Sequence, residues 1–196
     1  MEYRIRTAVP ADERRIRELF LEMLRTIYHT NDLKGYGDGD LDRYWSENQD
    51  RIYVAEDGQV VAFLSVEVHH DPVDHIYPDD FSVTAAYRNK GIGSALIHAA
   101  EAYAEQIGSQ AVILHVEKTN TSAMRFYERL RYTVFRDDGN RFLLKKTLRP
   151  DKRLNLRKPT VENIQSIRKT LSNRCENADG GRERKPSKAQ NLRGLC

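Results

Sequence analysis

Cysteine is nearly missing from these 196 residues: there are two, Cys175 and Cys196, both in the last quarter of the chain. Two late cysteines exclude a disulfide scaffold and a cysteine-rich zinc site, and they make a cytoplasmic home the default expectation. Long apolar runs are missing too. No stretch reaches the ~18 residues of a membrane span, so no membrane partner is expected. The first residues, Met1-Glu2-Tyr3-Arg4, lack the basic-then-apolar pattern of a secretory signal. Hydrophobic residues still make up 39% of the chain, enough to build a core. The length suits one domain with a remainder.

Charge is present in quantity but unevenly. The formal net charge of +3 averages two different segments. Residues 1–150 hold 20 Lys and Arg against 24 Asp and Glu, a net of −4, whereas residues 151–196 hold 12 against 5, a net of +7. Within the first segment, residues 31–80 carry 13 acids and only Lys34, Arg43 and Arg51, a local net of −10. The basic pI of the whole chain therefore gives no support to a nucleic-acid partner, because the segment with core-forming periodicity is acidic.

Periodicity divides residues 1–148 into alternating strands and helices. Tyr3, Ile5 and Thr7 alternate with Arg4 and Arg6 as in a strand. Ile16, Leu19, Phe20, Met23, Leu24 and Ile27 follow the i, i+3, i+4, i+7 rule of an amphipathic helix that opens at Pro10. A Gly- and Asp-rich loop covers residues 31–40, and Leu41–Asn48 suits a short helix. Asp57-Gly58 joins two strands as a hairpin, and Asp138-Gly139 joins two more. Between them come a strand over Ile76–Thr84, a helix over Gly93–Ile107, a buried strand over Ala111–Val116 and a short helix over Ser122–Leu130. This order predicts a mixed α/β fold.

The chemically most informative segment runs Val83-Thr-Ala-Ala-Tyr-Arg88-Asn89-Lys90-Gly91-Ile92-Gly93-Ser94. A strand passes through a basic, Gly-bearing turn directly into a helix. Glycines admit close backbone approach, and the exposed amides and dipole of the helix start favour an anion. Arg88 and Lys90 add formal charge, so a pyrophosphate would fit. A Walker A loop is absent, and a dinucleotide fingerprint fails because Leu96 stands where its third glycine belongs. An ordinary strand-to-helix turn is the other reading of these residues alone.

Arg88-x-x-Gly91-x-Gly93 in this setting resembles the acetyl-CoA pyrophosphate loop of GNAT-superfamily N-acetyltransferases. A second segment agrees: Asn120-Thr-Ser-Ala123-Met-Arg-Phe126-Tyr127, continuing to Tyr132, looks like the family's later motif. Arg131 departs from it, since the family usually has Gly there. The resemblance covers residues 1–148 in element order. It implies a mostly antiparallel central sheet with helices on both faces, splayed between the fourth and fifth strands. It also implies acetyl-CoA as co-substrate, with no metal, and admits a homodimer. By the same resemblance, the main chain of Phe81 and Val83 would pair with the pantetheine arm. Arg88, Asn89, Lys90, Gly91, Ile92, Gly93 and Ser94 would cradle the pyrophosphate. Asn120 would contact the arm, or cap its helix, or both.

Acetyl transfer to an amine needs a base, a polarised carbonyl and a proton for the leaving thiolate. Residues 1–150 hold no cysteine, so an acetyl-cysteine intermediate is excluded there and direct transfer is expected. Tyr127 is the candidate acid by similarity, against a plain core role. Asp79 or Asp80 is the candidate base, with Glu67 and a water route as alternatives. Adjacent strand residues point to opposite faces, so at most one of the two aspartates is expected to face the cleft. His69, His70 and His75 with Asp71 and Asp74 match no tight metal-ligand spacing and read as loop residues. The acids of residues 31–80 suggest an amine-bearing, cationic small-molecule acceptor. A protein amino group, or a non-catalytic acyl-CoA-binding module, is the alternative.

Residues 151–196 read separately. Leu156-Arg157 through Leu171 aligns without gaps on Ile5-Arg6 through Phe20, repeating Arg, Ile and Arg at the same offsets. Residues 151–171 are therefore expected to be the truncated start of a second, similar domain, followed by a basic, disordered tail over 172–196.

Overall fold

The computed structural model describes residues 2–148. The expected second repeat and tail lie outside the described residues.

Seven strands form one sheet in the order β1-β2-β3-β4-β5-β7-β6. They are β1 (Arg4–Thr7), β2 (Arg51–Asp57), β3 (Gln59–His69), β4 (His75–Val83), β5 (Ala111–Glu117), β6 (Thr133–Asp138) and β7 (Arg141–Thr147). Four helices join them: α1 (Glu13–Tyr28), α2 (Asp42–Trp45), α3 (Ile92–Gln106) and α4 (Thr121–Arg129). Both Asp-Gly hairpins form as expected, with Gly58 at φ +69° and Gly139 at φ +77°. All pairings are antiparallel except β4 with β5. The mixed, mostly antiparallel sheet thus matches the expected fold class.

The helices divide the core in two. The apolar stripe of α1, with Ile16, Leu19, Phe20 and Met23, packs with Leu41, Ile52, Val54 and Phe63 on one face. On the other face α3 and α4 bury Leu96, Ile97, Ala100, Ala123, Phe126 and Tyr127 against Leu64, Val66, Phe81, Val83, Val112 and Leu114. Each fully buried large apolar side chain is worth ~1.5–3 kcal/mol.

Two irregularities decide where chemistry can happen. The parallel ladder between β4 and β5 has only two rungs, His75–Ala111 and Ile76–Val112. Beyond Ile76 the strands part, and the β4 backbone from Tyr77 onward has no β5 partner. Pro78, which has no N–H for a ladder, falls in this stretch, where the omission costs least. The second irregularity is a bulge. Leu64 pairs with Phe81 and Val66 with Pro78, so Ser65 alone stands opposite both Asp79 and Asp80. A bulge breaks the two-residue alternation of a strand.

Candidate active site

The glycine turn is built by backbone conformation. Gly91 sits at φ +82° as the N-cap of α3, and Asn89 also adopts a left-handed φ of +58°. The first helical hydrogen bond of α3 runs from Ala95 N to Gly91 O. The amides of Ile92, Gly93 and Ser94 therefore lack helical acceptors. Ile92 as a whole residue is 1% exposed and its side chain belongs to the core. Arg88 folds back so that its Nε donates to Val83 O at 3.0 Å, and Lys90 Nζ lies 5.3 Å from the centre of the Tyr87 ring.

A cleft of about 370 Å³ lies beside this turn, lined by Val83, Asn89, Gly91, Gly93, Ser94, Ser122, Arg125, Phe126 and Arg129. The expected Val83, Asn89, Gly91, Gly93 and Ser94 thus meet in one place. Arg125 and Arg129, one turn apart on α4, bring positive charge that the motif reading did not include. Their i, i+4 spacing on the polar side of an amphipathic helix was the available signal. Asn120 caps α4, its Oδ1 accepting from Ala123 N at 3.0 Å. The amides of the turn, the open backbone edge of β4 and these two arginines together suit an extended, polyanionic ligand with an amide-bearing arm.

Tyr127 is 1% exposed and packs edge-on against Phe126 and Tyr132, at centroid distances of 5.0 and 5.5 Å. The end of α4 explains this placement. Arg131 takes a left-handed φ of +68°, Tyr132 N donates to Tyr127 O at 3.0 Å and Arg131 N donates to Glu128 O at 2.9 Å. This is a Schellman motif, and it folds Tyr132 back onto Tyr127.

The α1 face of the sheet, apolar under that helix, carries a polar cluster at the β3–β4 bulge. The bulge corrects the expectation for Asp79 and Asp80: the two carboxylates do not part to opposite faces but share one neighbourhood. Asp80 is 3% exposed. Its Oδ2 accepts the Tyr36 hydroxyl at 2.5 Å, its N donates to Ser65 Oγ at 2.8 Å, and its Oδ1 has no hydrogen-bond partner among the described residues. Burial pushes the Asp80 carboxyl up, the Tyr36 hydrogen bond opposes this, and Glu67 adds to it. Burial also pushes Asp79 up, reinforced by Asp80 and then Glu67. Two adjacent buried carboxyls cannot both ionise cheaply, so the pair retains a proton well above the usual carboxylate range. Glu67 itself is engaged, accepting from Arg43 at 2.6 Å and paired with His69 at 3.1 Å. Tyr36, stacked on Phe20 at 4.0 Å, comes from the Gly- and Asp-rich loop. Its role at the site was not legible in sequence.

Of the histidines expected in the loop only His70 lies there; His69 ends β3 and the buried His75 begins β4. His70 pairs with Asp74 at 2.8 Å and His69 stacks on His75 at 5.2 Å. Among the described residues no group of three or more His, Cys, Asp or Glu is arranged to hold a metal, and no helix is long and apolar enough to cross a membrane.

A parted β4–β5 pair, a glycine turn at a helix start and a buried carboxyl cluster at the bulge make up the candidate site. Comparison with known proteins names the family: the model of the acetyltransferase (GNAT) family matches residues 16–132. The chain belongs to that family. It is 33% identical over 90 residues to mycothiol acetyltransferase of Corynebacterium efficiens, a match covering 46% of this chain and 30% of that protein. It is 27% identical over 101 residues to streptothricin acetyltransferase A of Bacillus subtilis, covering 47% of this chain and 58% of that one. The chain thus spans less than a third of the length of the mycothiol acetyltransferase. Among solved structures, the PaiA N-acetyltransferase of Thermoplasma acidophilum, in complex with coenzyme A, superposes with a TM-score of 0.61 at 18% identity. That match covers 75% of this chain and 99% of the other.

Proposed function

We propose that this protein transfers an acetyl group from acetyl-CoA directly to a primary amine on a cationic small molecule. The observation that carries this reading is the parted sheet. The open β4 edge lies between two features that support the reading, the anion-suited cleft beside the glycine turn and the buried cluster of Tyr36, Asp79 and Asp80 at the β3–β4 bulge.

The residues divide the work as follows. The amides of Ile92, Gly93 and Ser94, with Arg125 and Arg129, hold the pyrophosphate; Arg88 secures the strand end and Lys90 flanks the turn. Asn89 and Gly91 supply the left-handed backbone that aims those amides. The free β4 edge at Phe81 and Val83 pairs with the pantetheine arm, and Asn120 fixes the start of α4 beside it. Tyr127 gives a proton to the departing thiolate, whose parent thiol has a pKa of ~8.5. The Asp79–Asp80 pair attracts and orients the ammonium and lowers the cost of bringing it out of water. The names of two relatives support a small-molecule acceptor, since one is called a mycothiol and the other a streptothricin acetyltransferase.

The test is release of free CoA, with the product identified by mass, across a panel containing spermidine, kanamycin, a lysine peptide and neutral or acidic acceptors. Acetylation of spermidine or kanamycin is expected, and Tyr127→Phe should lower kcat about 10²-fold with little change in KM. Transfer confined to neutral or acidic acceptors would refute the cationic acceptor, and full activity in Tyr127→Phe would remove its acid role.

A further inference from the structure

One buried polar cluster belongs to neither the cleft beside the glycine turn nor the aspartates at the bulge. Glu101 lies on α3 among Ile97, Ala100 and Ala104, on the side of the helix that enters the core. Its Oε1 accepts the Tyr132 hydroxyl at 2.9 Å, and its Oε2 accepts from Lys146 Nζ at 2.7 Å. Lys146 comes from β7, and its Nζ stands 5.6 Å from the centre of the Tyr132 ring. Three parts of the fold thus meet at one ion pair: α3, β7 and the turn that follows α4.

Such a cluster is a costly way to fill a core. Two buried charges give up their hydration, and an apolar set of similar volume often holds a fold as well. What the cluster supplies is fixed geometry. The hydrogen bond to Glu101 sets the direction of the Tyr132 side chain, and the cation over its face sets the plane of the ring. Burial, and then the Glu101 charge, pushes the ionisation of Tyr132 far upward. Its hydroxyl therefore stays protonated and keeps donating.

The object held by this geometry is Tyr127. The two rings meet edge-on, 5.5 Å apart at 68°, a directional contact. Phe126, the other ring against Tyr127, is its neighbour on α4 and moves with the same helix. Tyr132 instead ties the Tyr127 ring to α3 and β7, outside its own helix. A general acid works only within hydrogen-bond reach of the atom it protonates, and a misplacement of about 1 Å can cost about 10²-fold in rate.

We propose that Tyr132, fixed by Glu101 and Lys146, is a positioning residue that holds the Tyr127 ring in the orientation from which it protonates the departing thiolate. The inference rests on the acetyl-transfer reading above. In that step the N–C bond forms and the C–S bond breaks, leaving its electron pair on sulfur. The Tyr127 O–H proton goes to that sulfur. The phenolate then recovers a proton from water, which takes up the one the amine loses. Because α3 begins at the glycine turn, one helix bears on both ends of the proposed co-substrate: its first amides face the pyrophosphate, and its Glu101 sets the ring beside the thioester.

The test uses the full chain with acetyl-CoA and spermidine or kanamycin. Tyr132→Phe keeps the ring and removes the hydroxyl tether. It should lower kcat about 10-fold and leave the KM for acetyl-CoA within about twofold. Added to Tyr127→Phe, the same substitution should change kcat by less than about twofold, because residues acting through one group are not additive. In NMR of protein labelled at tyrosine, the two Hε edges of the Tyr127 ring should give separate signals in the wild type and one merged signal in Tyr132→Phe. An unchanged kcat in Tyr132→Phe, losses that multiply in the double variant, or Tyr127 signals that Tyr132→Phe leaves as they were, each overturn the positioning role. A wild-type chain that acetylates no amine, or a fully active Tyr127→Phe, overturns the functional reading instead, and the ring signals then decide the Tyr132 tether by themselves.

Discussion

Asp80 shows how much a single residue's surroundings can change its behaviour. Its side chain has one oxygen capped by Tyr36 and one with no partner among the described residues. Ionising it there is expensive, because an unpaired buried charge costs several kcal/mol. The folded chain therefore holds a proton that the unfolded chain releases near a pKa of ~4. With the folded value raised, the folded state binds more protons than the unfolded one, so stability falls as pH rises from the ordinary carboxylate range toward neutrality. Asp80→Asn should flatten that dependence. Melting temperatures of the two proteins between pH 5 and 8 would check it, and parallel curves would count against the raised value. None of this was visible in the sequence. Two adjacent aspartates on a strand imply opposite faces, and only the bulge across from Ser65 overrules that alternation.

Elements were largely legible because their signals are local. The Asp-Gly hairpins, the stripe of α1 and the glycine turn depend on neighbours a few residues apart. What local patterns could not supply were contacts made by strand order. Tyr77 meets His115 across 38 residues, and His115 meets Asp138 across 23. Each pairing exists only because β5 lies between β4 and β7. The end of α4 shows local chemistry and family expectation meeting at one position. Arg131 adopts the left-handed conformation that glycine accepts freely and other residues pay about 1 kcal/mol to hold. Arg131→Gly should therefore stabilise the fold by about 1 kcal/mol, some 3 °C in Tm for a domain of this size. Calorimetry measures this directly; a lower Tm would mean that the arginine side chain contributes more than its backbone costs.

At the scale of the whole molecule, charge separates by face. Residues 31–80 carry a net of −10 and supply Tyr36, Glu67, Asp79 and Asp80 to the proposed acceptor side, while Arg125 and Arg129 line the cleft beside the glycine turn. Screening acts on both, since the Debye length shrinks from about 10 Å at 0.1 M salt to about 3 Å at 1 M. The KM for a cationic amine should rise with ionic strength while that for a neutral amine stays level; steady-state assays in sodium chloride would show it, and equal salt responses would argue against steering.

The two-rung seam between β4 and β5 has a mechanical consequence. Strands β1 to β4 and strands β5, β7 and β6 are two panels hinged along one short stitch. A ligand that pairs with the free edge of β4 lengthens that stitch and acts as a splint across the hinge. If the proposed co-substrate docks there, it becomes a temporary structural member, and the sheet should stiffen when it binds and relax when it leaves.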